Sequence, residues 1–216
     1  MSGQSRPAQE FALRVHGADA VRVNCGDEML YDALRRGALE ISVRVPCPMD
    51  RLAPLCDLLW NALSPRGLSW VGFYLEDSTS PVDARPTNAG DLDQTSPSPR
   101  GELHLSARRD TPACSPIGLQ GVCGQSFLEE SVRLVEDVAL LGSNYIACDP
   151  RDASEVVIPI YRHNIRWGVL DADSHRVACF GPGDVAGLCG VLRAAGLLER
   201  DLPLRSDRLQ RTGQTL

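Results

Sequence analysis

The sequence predicts an α+β fold in which a central antiparallel β-sheet is flanked by helices. Helical periodicity begins at Asp50, alternating strand patterns cover residues 68–75 and 102–107, and helical periodicity returns over residues 183–198. Two further apolar strands, at residues 154–160 and 168–174, precede this closing helix. The order helix, strands, irregular segment, strands, helix is typical of an antiparallel sheet with helices packed against it.

Size and charge limit the classes of function. At 216 residues the chain can bury one core, so we expect a single domain with extensions. The net charge of -6, from 28 acidic and 22 basic residues, argues against nucleic acid or an anionic membrane as a partner. The first ten residues lack the features of a signal peptide, and no stretch is apolar enough to span a membrane, so we expect a cytoplasmic protein.

The domain prediction has three parts. Residues 1–45 are expected to be an extension that is partly disordered, residues 46–200 the main domain, and residues 201–216 a polar tail. Within the extension, a short helix is expected at residues 27–36 with Asp27 as its N-cap, followed by a strand at residues 39–45.

The first strong element is an amphipathic helix that starts at Asp50 and ends near residues 64–67. Cys56 lies on its apolar stripe and is expected to be a packed core thiol. The next strand, residues 68–75, places Trp70 and Tyr74 on one face, while its other face is apolar core. The pattern alone favours a half-buried surface for the two aromatic rings over one wall of a pocket.

The remaining elements follow from composition and periodicity. Residues 77–100 are rich in Pro, Ser, Thr, Asp and Gly, which predicts a flexible loop between strands. Residues 102–107 alternate and are expected to pair with the preceding strand. In the closing helix, the positions expected to face the core are Val185, Leu188, Cys189, Leu192 and Ala195.

Three of the eight cysteines, Cys114, Cys123 and Cys148, lie in the central stretch of residues 113–174. They form no Cys-x-x-Cys motif and have no histidine nearby in the chain, so a structural zinc site is disfavoured. Independent burial of the three thiols remains an alternative, since free cysteine is commonly buried. Their polar and glycine-rich neighbours instead favour loops or strand ends, where a thiol is accessible.

Three acidic residues accompany these thiols. Asp171 and Asp173 point to the same face of one strand, and Glu155 begins the neighbouring strand. Solvated strand ends are the alternative interpretation. Because Asp171 follows an uninterrupted apolar run, we expect partial desolvation, which raises the pKa and keeps one carboxyl protonated as an acid. The ionised carboxylates would bind a cationic group such as an ammonium.

Thiols, carboxyls and an aromatic wall together suggest reduction of a small amino-bearing sulfur compound. A thiolate attacks a sulfoxide sulfur when the sulfoxide oxygen is protonated to leave, which requires a general acid. The enzyme is left with a sulfenic acid, which a second cysteine converts to a disulfide.

Seven segments in order resemble the GAF-domain free methionine-(R)-sulfoxide reductases. They are residues 70–74, 113–114, 121–124, 135–138, 146–149, 154–160 and 168–174. The resemblance extends over about residues 50–195 and implies a GAF-like sheet flanked by helices, with residues 46–200 as the catalytic domain. The chain departs from the family at two places. Eight residues separate Cys114 from Cys123 where the family usually has nine, and Asn144-Tyr145 stands where Gly-His is usual.

The resemblance also implies roles for the thiols. Cys148 would be the nucleophile, Cys114 the resolving thiol, and Cys123 an alternative or additional resolving thiol. A thioredoxin-type reductant would restore the dithiol. The resemblance further implies no metal and no bound cofactor, and a possible homodimer.

For the substrate, the resemblance implies free methionine-(R)-sulfoxide. Its ammonium and sulfoxide ends would be held by Glu155, Asp171 and Asp173, and its thioether would lie against Trp70 and Tyr74. Two rival interpretations remain at this point: a non-catalytic GAF sensory module that binds a small ligand or senses redox state, and an inactive scaffold that only dimerises.

Overall fold

The computed structural model describes residues 25–76, 101–110, 113–142 and 148–206. The predicted loop at 77–100, the first 24 residues of the predicted extension, and Asn144 and Tyr145 therefore lie outside the described residues.

The described chain forms one seven-stranded sheet with the order β3-β2-β1-β6-β5-β4-β7. The strands are β1 (Leu68–Glu76), β2 (Glu102–Arg109), β3 (Ile117–Gly118), β4 (Val132–Val135), β5 (Ser154–Arg162), β6 (Ile165–Ser174) and β7 (Leu204–Ser206). Every neighbouring pair is antiparallel except β4 and β7, which are parallel. The predicted antiparallel sheet is therefore confirmed, with one parallel strand added at its edge.

Four α-helices occur within the described ranges: α1 (Cys25–Arg44), α2 (Pro48–Leu63), α3 (Val122–Glu129) and α4 (Pro182–Ala194). The main core lies between one face of the sheet and α2 and α4, and it continues into the contacts of α1 with these two helices. On the opposite face, α3 covers a smaller apolar cluster. Of the described helices, none combines the length and apolarity that crossing a bilayer requires.

Strand β1 separates these two clusters along its length. Val71, Phe73 and Leu75 face the main core, whereas Trp70 and Tyr74 face the smaller cluster beneath α3. This matches the alternation expected of a strand. The central strands β1, β6 and β5 consequently present a second, partly polar face on which a site can be built.

The strand predicted at residues 39–45 is wrong, because α1 continues as a helix to Arg44. The helix also starts at Cys25, so Asp27 lies inside its first turn and is not the N-cap. Its buried residues, Tyr31, Leu34 and Ala38, follow helical spacing. The apparent alternation that suggested a strand includes side chains that are mostly exposed, such as Val43.

Gly37 explains how α1 stays close to α2. A Cβ at this position would lie 2.9 Å from a terminal carbon of Leu58, so the glycine permits a close helix contact. Gly37 is therefore a packing residue between the two helices. Since α1 also packs on α4, it belongs to the same core as the rest of the domain.

Four elements were not anticipated. Strands β3 and β4 and helix α3 lie within the stretch expected to be irregular, and β7 lies in the stretch expected to be a polar tail. The helix predicted at 183–198 is present as α4, but it ends at Ala194, four residues earlier than expected. All five expected core positions are buried, including Ala195 just beyond the helix.

Candidate active site

A cavity of about 280 Å³ opens on the sheet face that carries α3. It brings together all eight residues singled out in the sequence: Trp70, Tyr74, Cys114, Cys123, Cys148, Glu155, Asp171 and Asp173. These residues come from β1, β5, β6, the first turn of α3 and two connections. The separate sequence motifs therefore converge on one pocket.

The acidic part of the site is built by strand register. Glu155 of β5 pairs directly with Asp173 of β6, and Asp171 lies two residues further along the same face. One carboxylate oxygen from each residue lies within 4.8 Å of those of the other two. Because β5 and β6 are central strands, Glu155 and Asp171 are only 4% and 7% exposed.

Burial changes the protonation of this cluster. It raises the pKa of Asp171 to about 7, although a hydrogen bond from Cys123 acts in the opposite direction. Burial, followed by repulsion from Asp171 and Glu155, also holds the pKa of Asp173 well above its usual value. Three carboxylates so close together cannot all ionise in a buried site, so the cluster retains protons near neutral pH.

Two of the thiols are in mutual contact. Cys148 hydrogen bonds with both the thiol and the backbone N–H of Cys114. Both cysteines are exposed residues that line the pocket. Partial burial of the Cys148 sulfur, together with the Cys114 thiol, raises the pKa of Cys148 to about 12. With this pKa, the Cys148 thiol is protonated at neutral pH.

Cys123 has a different environment. The expectation that it lies in an accessible loop or strand end is wrong, since it is buried in the first turn of α3. Its thiol donates a hydrogen bond to Asp171, and burial with the nearby carboxylates raises its pKa well above the usual value. The helix begins directly after Gly121, whose glycine-rich context suggested a loop.

The aromatic wall is formed by Trp70 and Tyr74. Their rings stack with centroids 5.9 Å apart, and both side chains are buried. The preference for a half-buried surface was therefore wrong, because α3 and the segment before it cover this face. The Tyr74 hydroxyl donates to the carbonyl oxygen of Cys114 at 3.0 Å, which ties the wall to a thiol-bearing segment.

Three further ionisable residues line the same pocket and were not predicted as site residues: Asp149, Asp152 and His175. His175 Nε2 lies 3.5 Å from Asp149 Oδ2 and 3.8 Å from Asp152 Oδ1. His175 is far from the cysteines in the chain but directly follows β6, two residues after Asp173. That position at the end of an acidic strand was the one signal that could have revealed it.

Comparison with solved structures defines the fold class. A crystal structure described as a GAF sensor protein from Burkholderia vietnamiensis matches with a TM-score of 0.63 and 27% identity, over 78% of this chain and 92% of that one. Free methionine-R-sulfoxide reductase from Neisseria meningitidis, in complex with its substrate, matches with a TM-score of 0.62 and 26% identity, over 84% and 93% of the chains. The fold is that of a GAF domain, as predicted.

Sequence comparison identifies the family. Free methionine-R-sulfoxide reductase of Escherichia coli is 33% identical over 140 residues, covering 63% of this chain and 68% of that protein. GAF domain-containing protein A of Dictyostelium discoideum is 31% identical over 125 residues, a match that spans 57% of this chain and 65% of the relative. No family model matches the chain. The chain belongs to the family of GAF-domain free methionine-(R)-sulfoxide reductases.

Proposed function

We propose that this protein reduces free methionine-(R)-sulfoxide to methionine. The observation that carries the proposal is the contact between Cys148 and Cys114 in a pocket that also holds three clustered carboxyls. Sulfoxide reduction requires a nucleophile, a resolving thiol and an acid, and the pocket contains a candidate for each.

In this proposal the acid cluster binds the ammonium of the amino acid. Glu155, Asp171 and Asp173 offer carboxylate oxygens that lie close enough to surround one cationic group. Methionine within a peptide lacks that ammonium, which supports free methionine sulfoxide as the substrate. The side chain of the substrate would lie against Trp70 and Tyr74, because sulfur groups pack favourably on aromatic rings.

The same cluster supplies the acid. Since burial raises the pKa of Asp171 to about 7 and holds that of Asp173 well above its usual value, a carboxyl in the pocket carries a proton at neutral pH. It donates that proton to the sulfoxide oxygen as the bond between sulfur and oxygen weakens. The ammonium of the substrate also lowers the pKa of Cys148, which favours the attacking thiolate.

The Cys148 thiolate attacks the sulfoxide sulfur while a carboxyl protonates the sulfoxide oxygen. The bond between that oxygen and the methionine sulfur breaks, and the oxygen is transferred to the Cys148 sulfur as hydroxyl. Methionine leaves, reduced by two electrons, and Cys148 is oxidised by two electrons to a sulfenic acid. The thiol of Cys114 then attacks the Cys148 sulfur, water leaves, and a disulfide forms. A dithiol reductant of the thioredoxin type reduces this disulfide by exchange, in the cytoplasm. We infer that Cys114 resolves the sulfenic acid, because Cys114 contacts Cys148 whereas the Cys123 thiol is hydrogen-bonded to Asp171.

The assay couples purified protein to free L-methionine-(R)-sulfoxide, thioredoxin, thioredoxin reductase and NADPH. We expect NADPH consumption that Cys148→Ser lowers at least about a thousandfold, the scale on which loss of a covalent nucleophile acts. The matched control is Cys47→Ser, which removes an exposed thiol outside the pocket and retains activity. Absence of NADPH consumption, or consumption that survives Cys148→Ser, would contradict the proposal.

A GAF sensory module is the second candidate, favoured by the similarity to the Burkholderia vietnamiensis structure. A sensor would bind methionine sulfoxide or another small ligand without turnover. Tight binding measured by calorimetry, with no methionine produced in the coupled assay, would favour the sensor.

Equal activity on the S epimer or on a peptide sulfoxide would contradict the proposed substrate. Sedimentation of the same sample tests the proposed homodimer.

A further inference from the structure

A second group of polar residues borders the pocket and has no part in the proposed chemistry. Asp149, Asp152 and His175 each contribute one ligand-type atom, and these atoms all lie within 4.8 Å of one another. Asp149 and Asp152 lie just before β5, and His175 lies just after β6. Ser154, at the start of β5, pairs with Ser174, at the end of β6, so the segments beyond these two residues bring the three side chains together.

One buried oxygen of Asp152 lacks a hydrogen-bond donor among the described residues. Its side chain is only 5% exposed, and its buried Oδ1 accepts no hydrogen bond from any residue that the structure describes. This oxygen faces His175, but at 3.8 Å from Nε2 it is too distant for a hydrogen bond. A buried carboxylate oxygen without a partner is costly, and native proteins rarely leave one unsatisfied.

Asp149 is already oriented. Arg151 Nε donates to its Oδ1 at 3.0 Å and Nη2 donates to its Oδ2 at 2.6 Å. Oδ2 also faces His175 Nε2 at 3.5 Å. Metal-binding carboxylates commonly receive such a hydrogen bond from an outer residue, which fixes their orientation. Arg151 therefore fixes both oxygens of Asp149, one of which still lies within 4.8 Å of the ligand-type atoms of Asp152 and His175.

We propose that Asp149, Asp152 and His175 form a binding site for a divalent first-row transition-metal ion such as Zn²⁺ or Co²⁺. One imidazole nitrogen and two carboxylate oxygens are a donor set that suits these ions better than Mg²⁺ or Ca²⁺, which prefer oxygen ligands alone. Three protein ligands leave a coordination position for water. The neighbouring cluster of Glu155, Asp171 and Asp173 contains no imidazole and is a separate site.

The test titrates the full-length, fully reduced protein with Co²⁺ and records visible absorption. We expect one saturating equivalent with the bands of nitrogen and oxygen coordination and without a thiolate-to-cobalt charge-transfer band. His175→Ala and Asp152→Asn should each weaken binding by more than about tenfold, since even outer-residue changes weaken metal binding about 10- to 100-fold. This readout needs no turnover, so its failure and failure of the proposed function are distinguishable.

Two controls locate the ion. His104→Ala removes a histidine that lies beside an acid elsewhere, at 4.0 Å from Glu102, and should leave Co²⁺ affinity unchanged. Asp173→Asn alters the other acidic cluster and should also leave it unchanged. Because the His175 side chain is 39% exposed, His175→Ala is expected to fold, and thermal melting checks this. If Asp152→Asn does not fold, the His175→Ala result decides.

Three results would overturn the proposal. They are no saturable binding to the wild type, a thiolate charge-transfer band in the wild-type complex, and unchanged affinity in His175→Ala. Loss of binding in Asp173→Asn together with retention in His175→Ala would move the ion to the other cluster and also overturn it.

Discussion

At the scale of single residues, Tyr74 connects the aromatic wall to the thiols. Its hydroxyl donates to the carbonyl oxygen of Cys114, and Cys114 in turn contacts Cys148. Burial and the nearby Asp171 raise the pKa of Tyr74 far above its usual value, so the phenol stays a hydrogen-bond donor at any physiological pH. The Tyr74 hydroxyl thus helps to fix the segment that carries the proposed resolving thiol.

Tyr74→Phe should slow formation of the disulfide between Cys114 and Cys148. We expect roughly a tenfold effect or more, because small misplacements of a reacting group cost up to about a hundredfold in rate. The measurement is mass spectrometry of protein quenched at intervals after one equivalent of methionine sulfoxide is added. Loss of one buried hydrogen bond should also lower the free energy of unfolding by about 1 kcal/mol.

The matched control is Tyr161→Phe. Tyr161 is also a buried tyrosine whose hydroxyl donates one hydrogen bond, at 2.9 Å to Glu130, but it lies in the main core outside the pocket. It should show a similar loss of stability with an unchanged rate of disulfide formation. Equal effects of the two substitutions on that rate would contradict a positioning role for Tyr74.

At the scale of elements, α3 closes the pocket and depends on one close approach. A Cβ on Gly124 would lie 2.2 to 2.3 Å from backbone atoms of Leu119. The helix can therefore pack against the preceding segment only with glycine at this position. Its first turn also carries Cys123, whose thiol bonds to Asp171.

Gly124→Ala should destabilise the protein by about 1–3 kcal/mol, the usual cost of overpacking. This is opposite to the intrinsic preference of a helix, where Ala is favoured over Gly by about 1 kcal/mol. Urea unfolding measures the difference. Gly121→Ala, at the N-cap of the same helix, is the control, because a Cβ there meets no atom within 4 Å. A Gly124→Ala variant as stable as Gly121→Ala would show that the packing argument is wrong.

Some helices and strands could be predicted from the sequence more easily than others. Helix α2, strand β1 and helix α4 carry strong periodicity, and all three were predicted. Helix α3 has only eight residues, begins after a glycine and ends where Glu130 adopts a left-handed conformation with φ 48°. No glycine marks that end, so the usual signal for a helix C-terminus is missing.

Local sequence patterns likewise predicted only part of the candidate site. Asp171 and Asp173 were predictable as neighbours because side chains alternate along a strand. The placement of Asp152 and His175 depends on the pairing of β5 with β6, which no local pattern in either segment specifies. Contacts between residues distant in the chain were the part that local periodicity could not provide.

At the scale of the whole molecule, the acid cluster reduces stability near neutral pH. The pKa of Asp171 is 3.8 for an unperturbed carboxyl and about 7 in the folded protein. Below pH 3.8 the group is protonated in both states. As pH rises from 3.8 to about 7, the unfolded chain ionises before the folded protein, so this contribution to stability is progressively lost.

Asp171→Asn should therefore be more stable than the wild type above pH 7 and equally stable below pH 3.8. We expect a gain of roughly 1–3 kcal/mol above pH 7, since one pKa unit corresponds to about 1.4 kcal/mol and three coupled acids share the shift. Urea unfolding across this pH range measures it, and sulfoxide reduction should fall in the same variant.

Asp32→Asn provides the control. Asp32 is a half-exposed carboxylate on α1, on the other side of the sheet, so its removal changes net charge by the same amount without affecting the cluster. It should show no stabilisation that grows with pH. A loss of stability in Asp171→Asn above pH 7 would contradict the inference that ionisation of the buried Asp171 destabilises the folded protein.

The alternation along β6 also has a consequence for how the chain finds its native pairing. Leu170 and Ala172 face the main core, while Asp171 and Asp173 face the pocket. A slip of one residue would exchange the two faces and place both carboxyls among Val71 and Phe73. Burial of unpaired acids in an apolar core is strongly unfavourable, so that misfolded register is excluded. The acids that lower native stability thus increase the specificity of folding.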